Sequence, residues 1–245
     1  MTILIGIPVG LNRIARKRPP TNKDFIMFKH QTIQNQTIDL PLGKVVCVGR
    51  NYAEHAKELG NEVPTAPILF IKPATSVVEL ESPLTIPQDQ GSVHHEAEIA
   101  LLISKDAKDI DAGSAWDYVS HAGVALDLTL RDVQSKLKEK SHPWEIAKGF
   151  DGACPLSKWI PLSELSNKEK IAIQLEKNGE LKQNGDSTQM ITSIPALIAY
   201  MSNIFTLKTG DVILTGTPAG VGPLESGDEL KATLDNQFSF NATVL

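Results

Sequence analysis

The sequence predicts an α+β fold in which strands outnumber short helices. Three observations lead there. Short apolar runs recur at residues 44–48, 67–71, 99–103, 124–128 and 211–214, the length and composition of buried strands. Two tight turns, Asn178-Gly179 and Asp235-Asn236, each join stretches of alternating apolar residues. Helical spacing, by contrast, is confined to a few brief segments.

Residues 1–26 show no sustained period and contain a Pro19-Pro20 break, so they are expected to be an extension ahead of one folded unit spanning 27–245. A basic arm that grips a partner is the alternative for this stretch. After the first strand, Ala53 to Leu59 is rich in helix formers and closes on Gly60, a C-terminal stop. His55 and Glu58 are three apart and share one helical face. A carboxylate beside an imidazole orients the ring as a general base, although the same pair on a surface helix is a weak ion pair. The strand at 67–71 exits at Lys72, which either caps it in water or turns inward toward an anion. Residues 79–91 are rich in proline and polar groups and read as a hairpin or loop, and 106–115 as a turn and helix start. From Asp127 the pattern becomes helical: Leu130, Val133 and Leu137 on one face, Arg131, Gln134 and Lys138 on another. Lys148, beside Gly149, reads as part of a loop. Residues 170–185 form a hairpin with Ile171, Ile173 and Leu175 inward. Ser193 is an N-cap followed by Ile194-Pro195, with Leu197, Met201 and Ile204 as the apolar stripe of the helix. The glycine-rich stretch 215–223 lacks phosphate-loop patterns and is read as a tight loop bringing backbone and Thr217 near a small ligand. A terminal hairpin closes the chain.

The most informative stretch is His94-His95-Glu96-Ala97-Glu98, which leads into the apolar run 99–103. Alternate side chains leave a strand on the same side, so Glu96 and Glu98 project together. Two solvated glutamates on a strand edge are one reading. A third acid, Asp127, lies inside the apolar run 124–128, where an aspartate is rarely without a partner. Three carboxylates form a hard, oxygen-only set suited to Mg²⁺ or Mn²⁺ rather than zinc.

Composition narrows the function. With 41% hydrophobic and 22% charged residues the 245-residue chain has the make-up of a globular protein. Its net charge of −5 argues against a general nucleic-acid or membrane-surface role. Residues 1–26 carry five basic side chains against Asp24 alone, leaving a net −9 on the remainder, an acidic body able to hold a cation. Two cysteines, Cys47 and Cys154, make neither a disulfide framework nor a zinc site. No apolar run approaches the ~20 residues that span a bilayer, and the N-terminal charge order is not that of a secretory signal. A reduced, cytoplasmic enzyme is expected.

Taken together, the segments Val45-Val46-Cys47-Val48-Gly49-Arg50-Asn51-Tyr52, Pro67-Ile68-Leu69-Phe70-Ile71-Lys72-Pro73, His94-His95-Glu96-Ala97-Glu98, Leu126-Asp127-Leu128-Thr129-Leu130-Arg131-Asp132-Val133-Gln134, Pro143-Trp144 with Ala147-Lys148, and Gly210-Asp211-Val212-Ile213-Leu214-Thr215-Gly216-Thr217-Pro218 resemble the fumarylacetoacetate hydrolase family, in its short acylpyruvase-like branch. The resemblance covers residue 27 to the C-terminus. It implies a mixed β-sandwich or β-roll with short peripheral helices, assembled as a homodimer. It implies Mg²⁺ or Mn²⁺ on Glu96, Glu98 and Asp127. It places His55 and Glu58 on a lid as the catalytic dyad with Lys148 beside them, and puts Arg50, Tyr52, Lys72, Arg131, Gln134 and Thr217 around a 2-oxo acid substrate. The reaction it implies is cleavage of a C–C bond in an acylpyruvate. Oxaloacetate decarboxylation, keto-enol tautomerisation, or hydration or isomerisation of a 2-oxo acid are alternatives on the same site, and a metal-stabilised binding protein is the alternative outside catalysis.

Overall fold

The computed structural model describes residues 28–245 except Leu59 and Asn61. The expectation for residues 1–26 lies outside the described residues. In chain order the elements are β1 (Val45–Gly49), α1 (Ala53–Glu58), β2 (Ile68–Lys72), β3 (Val77–Glu79), β4 (Val93–His95), β5 (Ala97–Ile103), β6 (Val119–Leu126), β7 (Thr129–Leu130), α2 (Arg131–Glu139), α3 (Glu145–Lys148), β8 (Cys154–Leu156), β9 (Ile160–Pro161), β10 (Ala172–Lys177), β11 (Glu180–Asp186), α4 (Ile194–Ile204), β12 (Val212–Leu214), β13 (Gly222–Pro223), β14 (Glu229–Leu234) and β15 (Phe238–Thr243). The fold is α+β and β-rich, as the short apolar runs require.

A large mixed sheet has the order β2-β1-β12-β5-β6-β8-β3, with β9 also paired to β6. Its β1–β12 and β3–β8 pairs are parallel; the other pairs are antiparallel. A four-stranded antiparallel sheet, β11-β10-β14-β15, and a small sheet, β13-β4-β7, complete the architecture.

The period of the strands divides the interior in two. Ile99, Leu101 and Ile103 of β5 enter a large apolar cluster with Ile173 and Leu175 of β10, Leu230 and Leu234 of β14, and Leu197 of α4. Ala100 and Leu102 face the other way, with Val45, Cys47, Phe70, Ala125 and Leu214. Glu98 follows the second set, so the acids arise on the face opposite the larger core. Both cysteines are buried and unpaired. Among the described residues no helix is long and apolar enough to cross a membrane.

Both predicted hairpins form. Asn178 and Gly179 have φ of 54° and 76°, and Asp235 and Asn236 have φ of 53° and 56°, the left-handed pairs that two-residue turns demand. Four local expectations need correction. The acidic strand is broken at Glu96, which joins β4 of the small sheet to β5 of the large one. α2 begins at Arg131 rather than at Asp127, because Thr129 and Leu130 pair with β4 first. The segment around Lys148 is one helical turn rather than a loop. In α4, Ser193 is the N-cap but its side chain makes no capping bond, and Ile204 is exposed, the buried stripe running through Ile194, Leu197, Ile198 and Met201.

Leu101 is fully buried at the centre of the larger cluster. Leu101→Ala should lower stability by ~2–5 kcal/mol, read as a lower urea midpoint.

Candidate metal centre

The chain brings Glu96, Glu98 and Asp127 together by three separate devices. Glu98 is the second residue of β5; Glu96 sits at the junction of two sheets, where its carbonyl accepts from the Asp127 N–H at 2.8 Å. Asp127 follows the last residue of β6, next to β5 in the large sheet. One carboxylate oxygen from each acid lies within 4.8 Å of the other two, and all three side chains are buried. Such crowding is unfavourable unless cations or protons offset it.

Lys148, at the end of α3, supplies one cation. Its Nζ donates to Glu96 Oε2 at 2.7 Å, Asp127 Oδ2 at 2.6 Å and Thr129 Oγ1 at 2.7 Å. Burial works against its charge, but Asp127 and Glu96 more than compensate and raise its pKa. Arg131 supplies another, donating to Glu96 Oε1 at 2.5 Å and to Gln134 Oε1 at 2.8 Å. Burial would raise the Glu96 pKa, yet Lys148 and Arg131 outweigh it and hold the group ionised. Glu98 differs. Burial first, then Asp127 and Glu96, push its pKa well above the ordinary value, against Lys148 and a 2.6 Å hydrogen bond from the Gly216 N–H.

Lys72 does not line the cleft, contrary to the sequence expectation. Its side chain is fully buried and donates to the carbonyls of Leu128 at 3.3 Å, Ala153 at 2.9 Å, and Lys148. It thereby pins together the strand end after Asp127, the end of α3 and the following turn. Its Nζ also lies 2.7 Å from Asp127 Oδ1, a buried ion pair. Three buried carboxylates whose oxygens lie within 4.8 Å of one another offer a hard, oxygen-only donor set. The donor set therefore fits a hard divalent cation, to which Glu96, Glu98 and Asp127 would each give oxygen.

Above the acids lies a small cleft, walled by Arg50, His55, Phe70, Arg131, Gln134, Lys138, Trp144, Lys148 and Thr217 among others. His55 Nδ1 is 3.3 Å from Glu58 Oε2, and Glu58 also accepts the Gly220 N–H at 3.0 and 3.2 Å, which fastens α1 to the glycine-rich loop. Gly216 has φ +93°, and a Cβ there would stand 2.7 Å from the Asn51 Cβ, so only glycine brings its N–H to Glu98. Arg131 Nε is buried and has no hydrogen-bond partner, an unused donor in a site that gathers charge. Tyr52, expected to touch substrate, is instead packed in the larger core with a buried hydroxyl that has no partner; its phenol pKa is raised by burial.

Sequence reasoning missed Gln183. It is the one buried residue of β11 and lies opposite Leu175 in the hairpin. Its Oε1 accepts from His95 Nδ1 and from the Ala97 N–H, both at 3.0 Å. Its Nε2 donates to Thr217 Oγ1 at 2.7 Å and to the Pro218 carbonyl at 2.9 Å. Thr217 passes the link on, donating to the Ala97 carbonyl at 2.8 Å. Gln183 thus fixes the residue between two of the acids from behind. The signal was a glutamine at the inward position of a hairpin.

Fold and site together define a β-rich protein built around a buried three-carboxylate centre for a divalent cation. The chain belongs to the fumarylacetoacetate hydrolase family: residues 44–245 match the family described as Fumarylacetoacetate (FAA) hydrolase C-terminal. It is 52% identical over 210 residues to oxaloacetate tautomerase YcgM of Escherichia coli K12, covering 85% of this chain and 96% of that protein. It is 46% identical to a mitochondrial oxaloacetate decarboxylase of Dictyostelium discoideum, over 81% of this chain and 93% of the relative. Among solved structures, fumarylpyruvate hydrolase from Pseudomonas aeruginosa, in complex with Mn²⁺ and pyruvate, superposes with a TM-score of 0.83 at 34% identity, covering 96% and 99% of the two chains.

Two measurements test the electrostatics and the support. A proton on Glu98 stabilises the native state fully below the ordinary pKa of 4.5, and that contribution is lost as pH rises toward the folded value. In chelator, the unfolding temperature of the wild type relative to Glu98→Gln should therefore fall as pH rises above the ordinary value of 4.5; a flat difference in calorimetry would remove the proton from the account. Gln183→Leu strands the Ala97 N–H and the His95 Nδ1–H. It should cost at least ~1–3 kcal/mol in urea unfolding and weaken Mn²⁺ binding in a titration.

Proposed function

We propose that the chain is a divalent-metal-dependent enzyme that interconverts the enol and keto forms of oxaloacetate, with decarboxylation of the same 2-oxo acid as a companion activity. The observation that carries this is the pairing of a buried three-acid centre with an imidazole–carboxylate dyad in one small cleft, in a chain 52% identical to an oxaloacetate tautomerase over nearly that protein's full length. Mg²⁺ or Mn²⁺ is the proposed ion.

A bound divalent cation supplies charge that stabilises oxyanion character as it develops on the 2-oxo group. The protein's own side chains do the rest. Arg131, with its unused Nε–H, attracts the C1 carboxylate. Lys148 holds Glu96 and Asp127 in place and keeps the floor of the cleft from accumulating unbalanced negative charge. Glu58 occupies His55 Nδ1, which leaves Nε2 as the ring nitrogen that gives a proton to C3 in ketonisation, while the C2 enol O–H releases its proton to solvent, and that takes one from C3 in the reverse direction, when the C2 oxygen is reprotonated. Fastening of α1 to Gly220 keeps the imidazole over the acids rather than in bulk water.

Cleavage of an acylpyruvate is the second reading, favoured by the likeness to the fumarylpyruvate hydrolase. The same dyad would then take its proton from a water molecule attacking the distal carbonyl.

Ultraviolet loss of enol-oxaloacetate, pyruvate formation from oxaloacetate, and loss of acetylpyruvate, measured side by side with Mg²⁺, decide between these. Ketonisation should be the fastest. His55→Ala should slow it roughly 10²–10⁴-fold with Mn²⁺ affinity retained, whereas Asp127→Ala should lose metal and activity together. Rapid acetylpyruvate cleavage without accelerated ketonisation would replace the first reading by the second.

A further inference from the structure

Residues 28–43, ahead of β1, form a strap over the smaller apolar cluster of the large sheet. Phe28, Ile38, Leu40 and Leu42 pack against that cluster, whose buried members include Cys47, Cys154 and Trp159. Backbone bonds tie the strap down at two places. The Ile33 N–H donates to the Trp159 carbonyl at 3.0 Å and the Trp159 N–H to the Gln31 carbonyl at 2.8 Å, while the Gly43 N–H donates to the Gly210 carbonyl at 3.0 Å. One side-chain bond joins them: Trp159 Nε1–H donates to His30 Nδ1 at 2.9 Å, with His30 only 1% exposed and Trp159 not at all.

An indole N–H can only donate, so His30 Nδ1 must accept and the ring carries its proton on Nε2. Nε2 lies near the carbonyls of Pro41 and Gly210 but makes no hydrogen bond of good geometry with either. A second proton would have to enter at Nδ1, where it would stand against the indole N–H with no water to receive either donor. The surroundings add nothing to balance the charge. Burial lowers the His30 pKa from its ordinary value of 6.5, and His121 of β6 lowers it further by like charge, against the two carbonyls. Lys29 and Lys158, beside the pair in the chain, are cations. Asp211, beside Gly210, is already taken by the Lys44 side chain and by the N–H groups of Lys44 and Lys208.

We propose that the His30–Trp159 hydrogen bond is an acid-released latch: a proton taken from solvent by His30 Nδ1 sets two donors against each other and unseats the strap from the smaller apolar cluster. The latch is independent of the reaction proposed for the cleft. Its hold is complete above pH 6.5 and is lost as pH falls toward the lower folded value, because the opened strap binds the proton more readily than the closed one.

Hydrogen–deuterium exchange of the full chain with Mg²⁺ present, corrected at each pH for the intrinsic exchange rate, reads the latch directly. Between pH 7.5 and pH 5.5 the amides of Ile33, Ile38 and Trp159 should lose up to about tenfold in protection, the effect of one proton over one pH unit below 6.5. Amides of β14, outside the strap, should keep theirs. His30→Asn offers the indole a side-chain oxygen that never charges, and should hold the strap's protection constant with pH. Trp159→Phe removes the opposing donor and should reduce the fall, which keeps the test alive if one variant does not fold. His121→Asn should keep the wild-type fall. A flat wild type, a fall that persists in His30→Asn, one that vanishes in His121→Asn, or an equal loss in β14 overturns the latch.

Discussion

Three carboxylates within 4.8 Å of one another, away from water, set the terms for the rest of this molecule. Their repulsion is strong at low dielectric, and each neighbouring group can be understood by how it offsets it. Lys148 bridges two of the acids, Arg131 grips one from the rim, and the Gly216 N–H reaches the third. What the cations leave unbalanced falls on Glu98, which favours its proton when no metal competes. A divalent ion resolves the same imbalance by charge, which is why the donor set points to one.

The support around this centre is polar but closed. Lys72 joins three chain segments by their carbonyls, and Gln183 joins two elements of the small cleft to a hairpin of another sheet. Buried polar groups that are fully paired fix a geometry more sharply than apolar contacts do. The His55–Glu58 pair is held the same way: Glu58 meets both the imidazole and the Gly220 N–H, so the helix carrying His55 and the loop carrying Thr217 share a fastening.

Much of this was legible in the chain. The apolar runs became strands because a continuous stretch of Val, Ile and Leu is buried on both faces of a central sheet. The hairpins were legible because two-residue turns need left-handed residues, and Asn-Gly and Asp-Asn supply them. Asp127 stood out as an acid inside an apolar run. Family resemblance carried Arg131, Lys148 and His55 to the site, and they line it together. It misplaced Lys72 and Tyr52, since a motif records that a residue matters and not which way its side chain turns. The break at Glu96, the late start of α2 and the role of Gln183 depend on pairings between strands far apart in sequence, which no local pattern encodes.

The junction at Glu96 has a bearing on how the chain finds its alignment. One acid closes the small sheet while another, two residues on, opens the large one, so both ladders must be in step for the carboxylates to meet Lys148 and Arg131. A slip of one residue in either ladder turns every side chain to the opposite face. It would drive Glu98 into the apolar cluster behind β5, far from any compensating base. The acidic centre is thus also a checkpoint for assembly, penalising misaligned strands with a stranded charge.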